Sequence, residues 1–182
     1  MTIPCGVRRA TLDDAAAIAE IYNEAILTTT ATFDTEPKSV EDRRKWLQAH
    51  CDRFPVYVAD VVGRVVGWAS LSSWSDRCAY GDTAETSFYV HSDFRGQGIG
   101  RQLKRTIIQA ARELGYFTLI ARVAEGSEAS LHVNLAEGFR HAGTLRKVGF
   151  KFGRRLDVHF LQLMLQDDEA SPQAQAFGAE RC

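Results

Sequence analysis

Three glycines at alternate positions lie between a predicted strand and a long amphipathic helix. They belong to the segment Arg95-Gly96-Gln97-Gly98-Ile99-Gly100-Arg101. Glycine permits unusual backbone torsions and a close approach of the backbone to a ligand. The N–H groups at a helix N-terminus attract anions, and Arg95 and Arg101 add positive charge. The segment therefore predicts a site for a diphosphate-bearing cofactor, although a glycine-rich turn without a ligand fits the same spacing.

Two familiar phosphate-binding loops do not match this segment. A P-loop continues with Lys and then Ser or Thr after its last glycine, whereas Gly100 is followed by Arg101 and Gln102. The dinucleotide-binding fingerprint G-x-G-x-x-G requires an acidic residue about 20 positions further on. The spacing here is G-x-G-x-G, and the residue at position 120 is Ile120. Neither of these two loops is therefore predicted.

The elements around the loop follow a mixed order. Hydrophobic periodicity and capping residues predict helices that begin at Thr11, at Ser39 and near Ile99, and a fourth over residues 128–136. Strands are predicted over residues 6–10, 56–60, 65–71, 83–90, 118–123, 140–148 and 157–165. The order β-α-α-β-β-β-α-β-α-β-β indicates a mixed α/β or α+β fold, and it lacks the strict alternation of a doubly wound fold.

Composition limits the classes of protein. The chain has 182 residues, which suggests one domain over residues 1–166 followed by a polar, flexible tail over residues 167–182. A formal net charge of −1 argues against a nucleic-acid partner. A membrane partner is not expected, because there is no apolar tract of about 18 residues. The N-terminus lacks the apolar core of a signal peptide, which favours a cytoplasmic location.

The four cysteines also bear on the kind of site. Cys5, Cys51, Cys78 and Cys182 are scattered and form no C-x-x-C pair. This spacing argues against a zinc site and against a disulfide framework. We therefore expect no metal and a reduced, cytoplasmic protein.

Several motifs resemble those of the GNAT superfamily of N-acetyltransferases and occur in the same order along the chain. Arg95-x-x-Gly98-x-Gly100 matches the Q/R-x-x-G-x-G/A signature of that superfamily. Further segments are similar to phosphinothricin N-acetyltransferases and, equally, to methionine sulfoximine acetyltransferases: residues 21–25, 32–37, 74–80, 85–90 and 149–158. The resemblance runs from about residue 7 to residue 165. It implies a mostly antiparallel, twisted sheet of about seven strands with a splayed central pair, and about four flanking helices.

The resemblance also implies acetyl-CoA as cosubstrate. In GNAT proteins the glycine loop binds the pyrophosphate, and the pantetheine arm lies like an added strand beside a bulged strand. The residues implied in cofactor binding are Phe88, Tyr89, Val90, Arg95, Gly96, Gln97, Gly98, Ile99, Gly100, Arg101, Ser130 and Asn134. The chain departs from the family at Ser127, where asparagine is usual, and at Asn134, where histidine is usual. No general acid is therefore assigned.

Glu85 is the candidate general base. Side chains alternate along a strand, so Glu85 and Ser87 share a face with Tyr89. By residue type alone Glu85 would be a solvated strand residue, but the resemblance implies that it takes the proton from the acceptor amine, directly or through water.

The resemblance places substrate binding at Phe33, Trp74, Arg77 and Tyr80. The guanidinium of Arg77 suits the carboxylate or phosphinate of an amino-acid substrate. Arg154 and Arg155 replace a usual Gly/Arg-Trp pair in a turn that reaches a neighbouring subunit in the family, which also implies a homodimer.

The hypothesis is acetyl transfer from acetyl-CoA to the α-amino group of a small amino-acid analogue. Two alternatives remain open at this point. One is a GNAT enzyme for a polyamine, an aminoglycoside or a protein N-terminus. The other is a sensor that binds acyl-CoA without turnover. The intact Glu85 and glycine loop favour an enzyme over the sensor.

Overall fold

A computed structural model describes residues 5–166 and confirms the predicted order of elements. Within this range lie seven strands and four α-helices: β1 (Gly6–Arg9), α1 (Ala15–Thr28), α2 (Val40–Ala49), β2 (Val56–Val61), β3 (Arg64–Ser73), β4 (Thr83–Val90), α3 (Ile99–Glu113), β5 (Thr118–Ala124), α4 (Glu128–Ala136), β6 (Arg140–Lys151) and β7 (Arg154–Met164). The tail predicted over residues 167–182 lies outside the described residues.

Local capping explains where the first two helices begin. At α2 the Ser39 hydroxyl accepts a hydrogen bond from the Asp42 N–H, and the Asp42 carboxylate accepts one from the Ser39 N–H, each at 3.0 Å. Thr11 and Asp14 form the same kind of capping box, but it opens a 3₁₀ turn, so α1 begins only at Ala15.

The seven strands form one sheet in the order β1-β2-β3-β4-β5-β7-β6. The neighbours β4 and β5 are parallel, and all other pairs of neighbours are antiparallel. Pairing between β4 and β5 covers only Thr83–Glu85, after which the two strands diverge. The splayed central pair is thus confirmed. The implied bulge in β4 is absent from its register with β3, which runs unbroken from Ala84 to Val90.

The helices cover opposite faces of the sheet. Phe88 approaches Gly100 of α3, whereas the next residue of β4, Tyr89, packs its ring on Tyr22 of α1. One hydrophobic cluster lies under α3, and a second lies under α1 and α2 around Trp68. The two packed layers hold the diverging strands from both sides.

Three further observations bear on the sequence-based expectations. Within residues 5–166, no helix is both long and apolar enough to cross a membrane. The same residues contain no group of three or more His, Cys, Asp or Glu placed to hold a metal ion. Cys5 and Cys78 are free thiols, but Cys51 is disulfide-bonded, so the expectation of a reduced chain is wrong at Cys51. Spacing along the chain does not determine which thiols meet in space.

Candidate active site

A cleft opens where β4 and β5 diverge. Four of the predicted cofactor residues line it, namely Phe88, Tyr89, Ser130 and Asn134, together with Ala31, Thr86, Ser87, Ala121, Arg122, Val123, Ala124 and Ser127. Beyond Glu85, one edge of β4 bonds to β3 while its other edge has no β5 partner. Backbone N–H and C=O groups on that edge can therefore bind an extended ligand as an added strand would.

Asn134 leaves one acceptor unused at the wall of this cleft. Its side chain is buried, and the amide Nδ2 donates to the Ser130 carbonyl at 2.8 Å. The Oδ1 atom is buried without a hydrogen-bond partner. A buried acceptor without a hydrogen bond lowers the stability of the folded protein. A hydrogen-bond donor on a ligand in the cleft would remove that penalty.

The glycine loop presents N–H groups at the start of α3. Gly96 and Gly98 have φ angles of +74° and +84°, a conformation that glycine adopts without steric cost. The Gln102 N–H donates to the Gly98 carbonyl at 3.0 Å. The N–H groups of Ile99, Gly100 and Arg101 precede this first helical bond, which makes them available to an anion.

The two loop arginines already contact carboxylates of the protein. Arg95 pairs with Glu24 of α1 at 2.9 Å, and its Nε donates to the Val90 carbonyl at 2.9 Å. Arg101 pairs with Glu137 after α4. These arginines therefore anchor the loop and α3 in addition to any contact with a diphosphate.

Other predicted loop residues have structural roles as well. The Ile99 side chain lies in the core. A Cβ at Gly100 would lie 3.2 Å from Phe88 Cε2, so a small residue lets α3 approach β4 closely. Gln97 Nε2 donates to the Asp93 carbonyl at 3.2 Å.

Glu85 lies at the last position where β4 pairs with β5, and it does not stand alone. Its two carboxylate oxygens accept hydrogen bonds from Arg122 Nε and Nη2, at 2.6 and 2.7 Å. Arg122 belongs to β5 and lines the cleft. Sequence reasoning missed Arg122, because the pairing of these two strands joins residues 37 positions apart.

A buried lysine lies behind the same point of the sheet. Lys104 of α3 is fully buried, its Nζ donates to Thr86 Oγ1, and it lies 4.1 Å from the centre of the Phe139 ring. Burial lowers the pKa of Lys104 to about 7, although the nearby charge of Glu85 acts in the opposite direction. Sequence reasoning missed Lys104 too, but its helical spacing from Ile107, Ile108 and Ala111 could have revealed a buried position.

Tyr89 forms the wall of the cleft toward α1. Its hydroxyl donates to the Ala31 carbonyl at 3.3 Å, and its ring meets Tyr22 edge-on at 5.1 Å. Burial raises the pKa of Tyr89, so the hydroxyl stays protonated at neutral pH.

The four predicted substrate residues do not line the cleft between β4 and β5. Phe33 packs against the backbone of Gly149, and the Trp74 ring meets Phe160 edge-on at 6.1 Å. Arg77 and Tyr80 are exposed at a 3₁₀ turn between β3 and β4. Their contact with an acceptor stays a prediction.

A family model described as an acetyltransferase (GNAT) domain matches residues 7–160. The chain is 38% identical to the L-amino acid N-acyltransferase MnaT of Escherichia coli, over 92% of this chain and 98% of that protein. It is 36% identical to the L-methionine sulfoximine/L-methionine sulfone acetyltransferase of Pseudomonas paraeruginosa, over 91% and 98% of the two chains. Identity to the phosphinothricin N-acetyltransferase of Streptomyces coelicolor is 35%, over 84% and 91%.

Solved structures agree with this match. The yncA protein of Salmonella typhimurium, solved with its cofactor acetyl-CoA, superposes with a TM-score of 0.89 at 36% identity, over 93% of this chain and 98% of that one. A ribosomal-protein-alanine N-acetyltransferase from Brucella melitensis superposes with a TM-score of 0.85 at 40% identity, over 87% and 99%. The expected fold is thereby confirmed, and the chain belongs to the GNAT family of acetyltransferases.

Proposed function

We propose that this protein transfers the acetyl group of acetyl-CoA to the α-amino group of a small amino acid or amino-acid analogue. One observation carries the proposal. The unpaired edge of β4 runs from Thr86 to Val90, about 13 Å at the usual rise per residue, with the glycine loop beyond one end and Glu85 at the other. A ligand anchored at the loop and laid along this edge ends beside a carboxylate.

The same geometry supports our assignment of the cofactor-binding residues. The N–H groups at the start of α3 would hold the diphosphate of acetyl-CoA. The backbone of Phe88, Tyr89 and Val90 would bind its extended arm, and Asn134 Oδ1 would accept a hydrogen bond from it. Bound in this way, acetyl-CoA would supply an activated acetyl thioester near the point where β4 and β5 diverge.

Glu85 is the residue that we assign to proton removal. An ammonium group must lose a proton before its nitrogen can attack a thioester, and a positioned carboxylate can accept that proton. A covalent acyl-enzyme is not part of the proposal, because Cys78 is exposed on a loop and does not line the cleft. Transfer is therefore direct from thioester to amine.

The acceptor is expected to carry a carboxylate. Arg122 lines the cleft, and a guanidinium suits the carboxylate of an amino acid. The named activities of the relatives concern amino acids and their analogues. Polyamines and aminoglycosides would instead favour an acidic cleft.

A homodimer is part of the proposal. Strand β6 forms an edge of the sheet, and its exposed apolar side chains are Leu145, Val148 and Phe150, with Phe152 in the adjoining turn. Apolar residues on an exposed edge strand favour pairing with another chain. A second copy of this chain is the partner that we expect there.

Release of free coenzyme A from acetyl-CoA tests the function. The acceptor panel contains phosphinothricin, methionine sulfoximine, methionine sulfone, a polyamine, an aminoglycoside and a peptide with an N-terminal alanine. We expect fast release with the three amino-acid analogues. The peptide represents the second candidate function, which the 40% identity to a ribosomal-protein-alanine N-acetyltransferase favours. Fast release with the peptide or a polycation alone would contradict the proposal.

A further inference from the structure

The ion pair with Arg122 occupies both carboxylate oxygens of Glu85, so Glu85 is not always available as a base. One guanidinium donates to both carboxylate oxygens, at 2.6 and 2.7 Å. If the carboxylate took up a proton, it would lose its charge and weaken two charge-assisted hydrogen bonds. The pair must therefore open before Glu85 can accept a proton efficiently.

Arg122 is the member of the pair that can move. Its side chain is 55% exposed and lines the cleft, whereas the side chain of Glu85 is only 12% exposed. Among residues 5–166, the Arg122 side chain forms hydrogen bonds with Glu85 only. Behind Glu85, the buried Lys104 still interacts with the carboxylate. Departure of Arg122 thus leaves the Glu85 carboxylate beside the buried Lys104.

We propose that the carboxylate of the acceptor displaces Glu85 from Arg122 and so releases the base only when an amino acid is bound. This inference rests on the proposed function. The guanidinium exchanges one carboxylate for another, so its charge stays paired throughout. The released Glu85 then takes one proton from the acceptor ammonium: an N–H bond breaks, an O–H bond forms, and the amine nitrogen keeps the electron pair for attack.

Arg122 then acts as a specificity-determining residue as well as a binding residue. An amine without a carboxylate cannot compete for the guanidinium, so Glu85 stays bound to Arg122 and turnover stays slow. Plain recognition of the carboxylate would make such an amine bind weakly, but it would not explain a low kcat. The effect of Arg122 on kcat for acceptors without a carboxylate separates these two roles.

The experiment compares methionine sulfone with its carboxamide, which lacks the negative charge. Each is assayed with the parent protein, Arg122→Met, and Arg122→Lys, which keeps the charge but not the two-pronged donor. Because the ratio of the two acceptors is compared between proteins, their different intrinsic reactivities cancel. In Arg122→Met we expect the preference in kcat/KM for the carboxylate to fall roughly 100-fold, the size of a lost charge-assisted contact. We expect kcat for the carboxamide to rise about tenfold as Glu85 is freed.

Arg140→Met is the matched control, because Arg140 is an exposed strand arginine that does not line the cleft. Acetyl-CoA binding by each variant verifies the fold, and Arg122→Lys should retain part of the preference. An unchanged preference in an active Arg122→Met, or a carboxamide kcat that stays constant or falls, would overturn the inference alone. If the parent protein does not acetylate methionine sulfone, the proposed function fails and this inference fails with it.

Discussion

Lys104 Nζ donates a hydrogen bond to Thr86 Oγ1 at the position where β4 leaves β5. The folded-state pKa of Lys104 is about 7, because burial penalises its charge, and an unfolded lysine titrates near 10.4. Between these pH values Lys104 is protonated in the unfolded chain and mostly neutral in the folded one. The free energy of unfolding therefore rises as pH rises from 7 to 10. Below pH 7 the folded protein bears the full cost of burying the charged lysine.

Lys104→Met should therefore stabilise the protein at pH 7, by roughly 1–4 kcal/mol, as apolar replacement of a buried charge often does. The advantage should shrink toward pH 10, where the parent lysine is neutral when folded. Urea unfolding at both pH values measures this difference. Lys45→Met, at an exposed position on α2, is the control. An equal difference between Lys104→Met and the parent at both pH values would refute the titration of Lys104.

Glu85→Gln should lower kcat by roughly 10²–10⁴-fold, the usual loss when a general base is removed. Acetyl-CoA affinity should be unchanged, because Glu85 is not among the groups that we assign to cofactor binding. Glu125→Gln is a matched control: Glu125 also pairs with an arginine, but its partner, Arg154 at 2.9 Å, does not line the cleft, whereas Arg122 does. Steady-state kinetics with methionine sulfone and isothermal titration with acetyl-CoA give the two readouts. Full turnover by Glu85→Gln would refute its role as base.

The features that sequence reasoning predicted well depend on neighbours along the chain. The Ser39 and Asp42 capping box and the bounds of β4 and α4 follow from residues a few positions apart. Arg122 could not be predicted to contact Glu85, because α3 separates the two parallel strands and only the fold brings them together. The bonds of Arg95 and Arg101 to Glu24 and Glu137 are likewise long-range contacts. The positive charge at a glycine loop can therefore be predicted from a sequence, but the carboxylates with which it pairs cannot.

Gly98→Ala should weaken acetyl-CoA binding about tenfold. Alanine at a positive φ is strained and will shift the N–H groups at the start of α3 away from an anion. Gly63→Ala in the turn between β2 and β3 is a close control, because the φ angles are +84° and +83° and neither Cβ would meet an atom within 4 Å. Both variants should lose about the same stability, and only Gly98→Ala should change the dissociation constant from titration calorimetry. Equal affinities in the two variants would argue against the loop as the diphosphate site.

Phe150→Lys should convert the proposed homodimer to a monomer. Phe150 is 62% exposed on the edge strand β6, and a lysine there would place a charge in an apolar interface. Sedimentation velocity measures the change in mass. Val62→Lys, at an exposed apolar position in the turn between β2 and β3, should leave the dimer intact. A Phe150→Lys protein that sediments like a dimeric parent would exclude this face of β6 as the interface.

Gly149→Ala tests whether Phe33 contacts the acceptor. A Cβ at Gly149 would lie 2.2 Å from Phe33 Cε2, so the half-exposed ring must move. If Phe33 closes the acceptor site, the KM for methionine sulfone should rise several-fold while the KM for acetyl-CoA stays constant. Gly143→Ala controls for alanine in the same strand, because a Cβ at Gly143 meets no atom within 4 Å. An acceptor KM that stays at the parental value in both Gly149→Ala and Phe33→Ala would remove Phe33 from the acceptor site, since the ring is displaced in one variant and absent in the other.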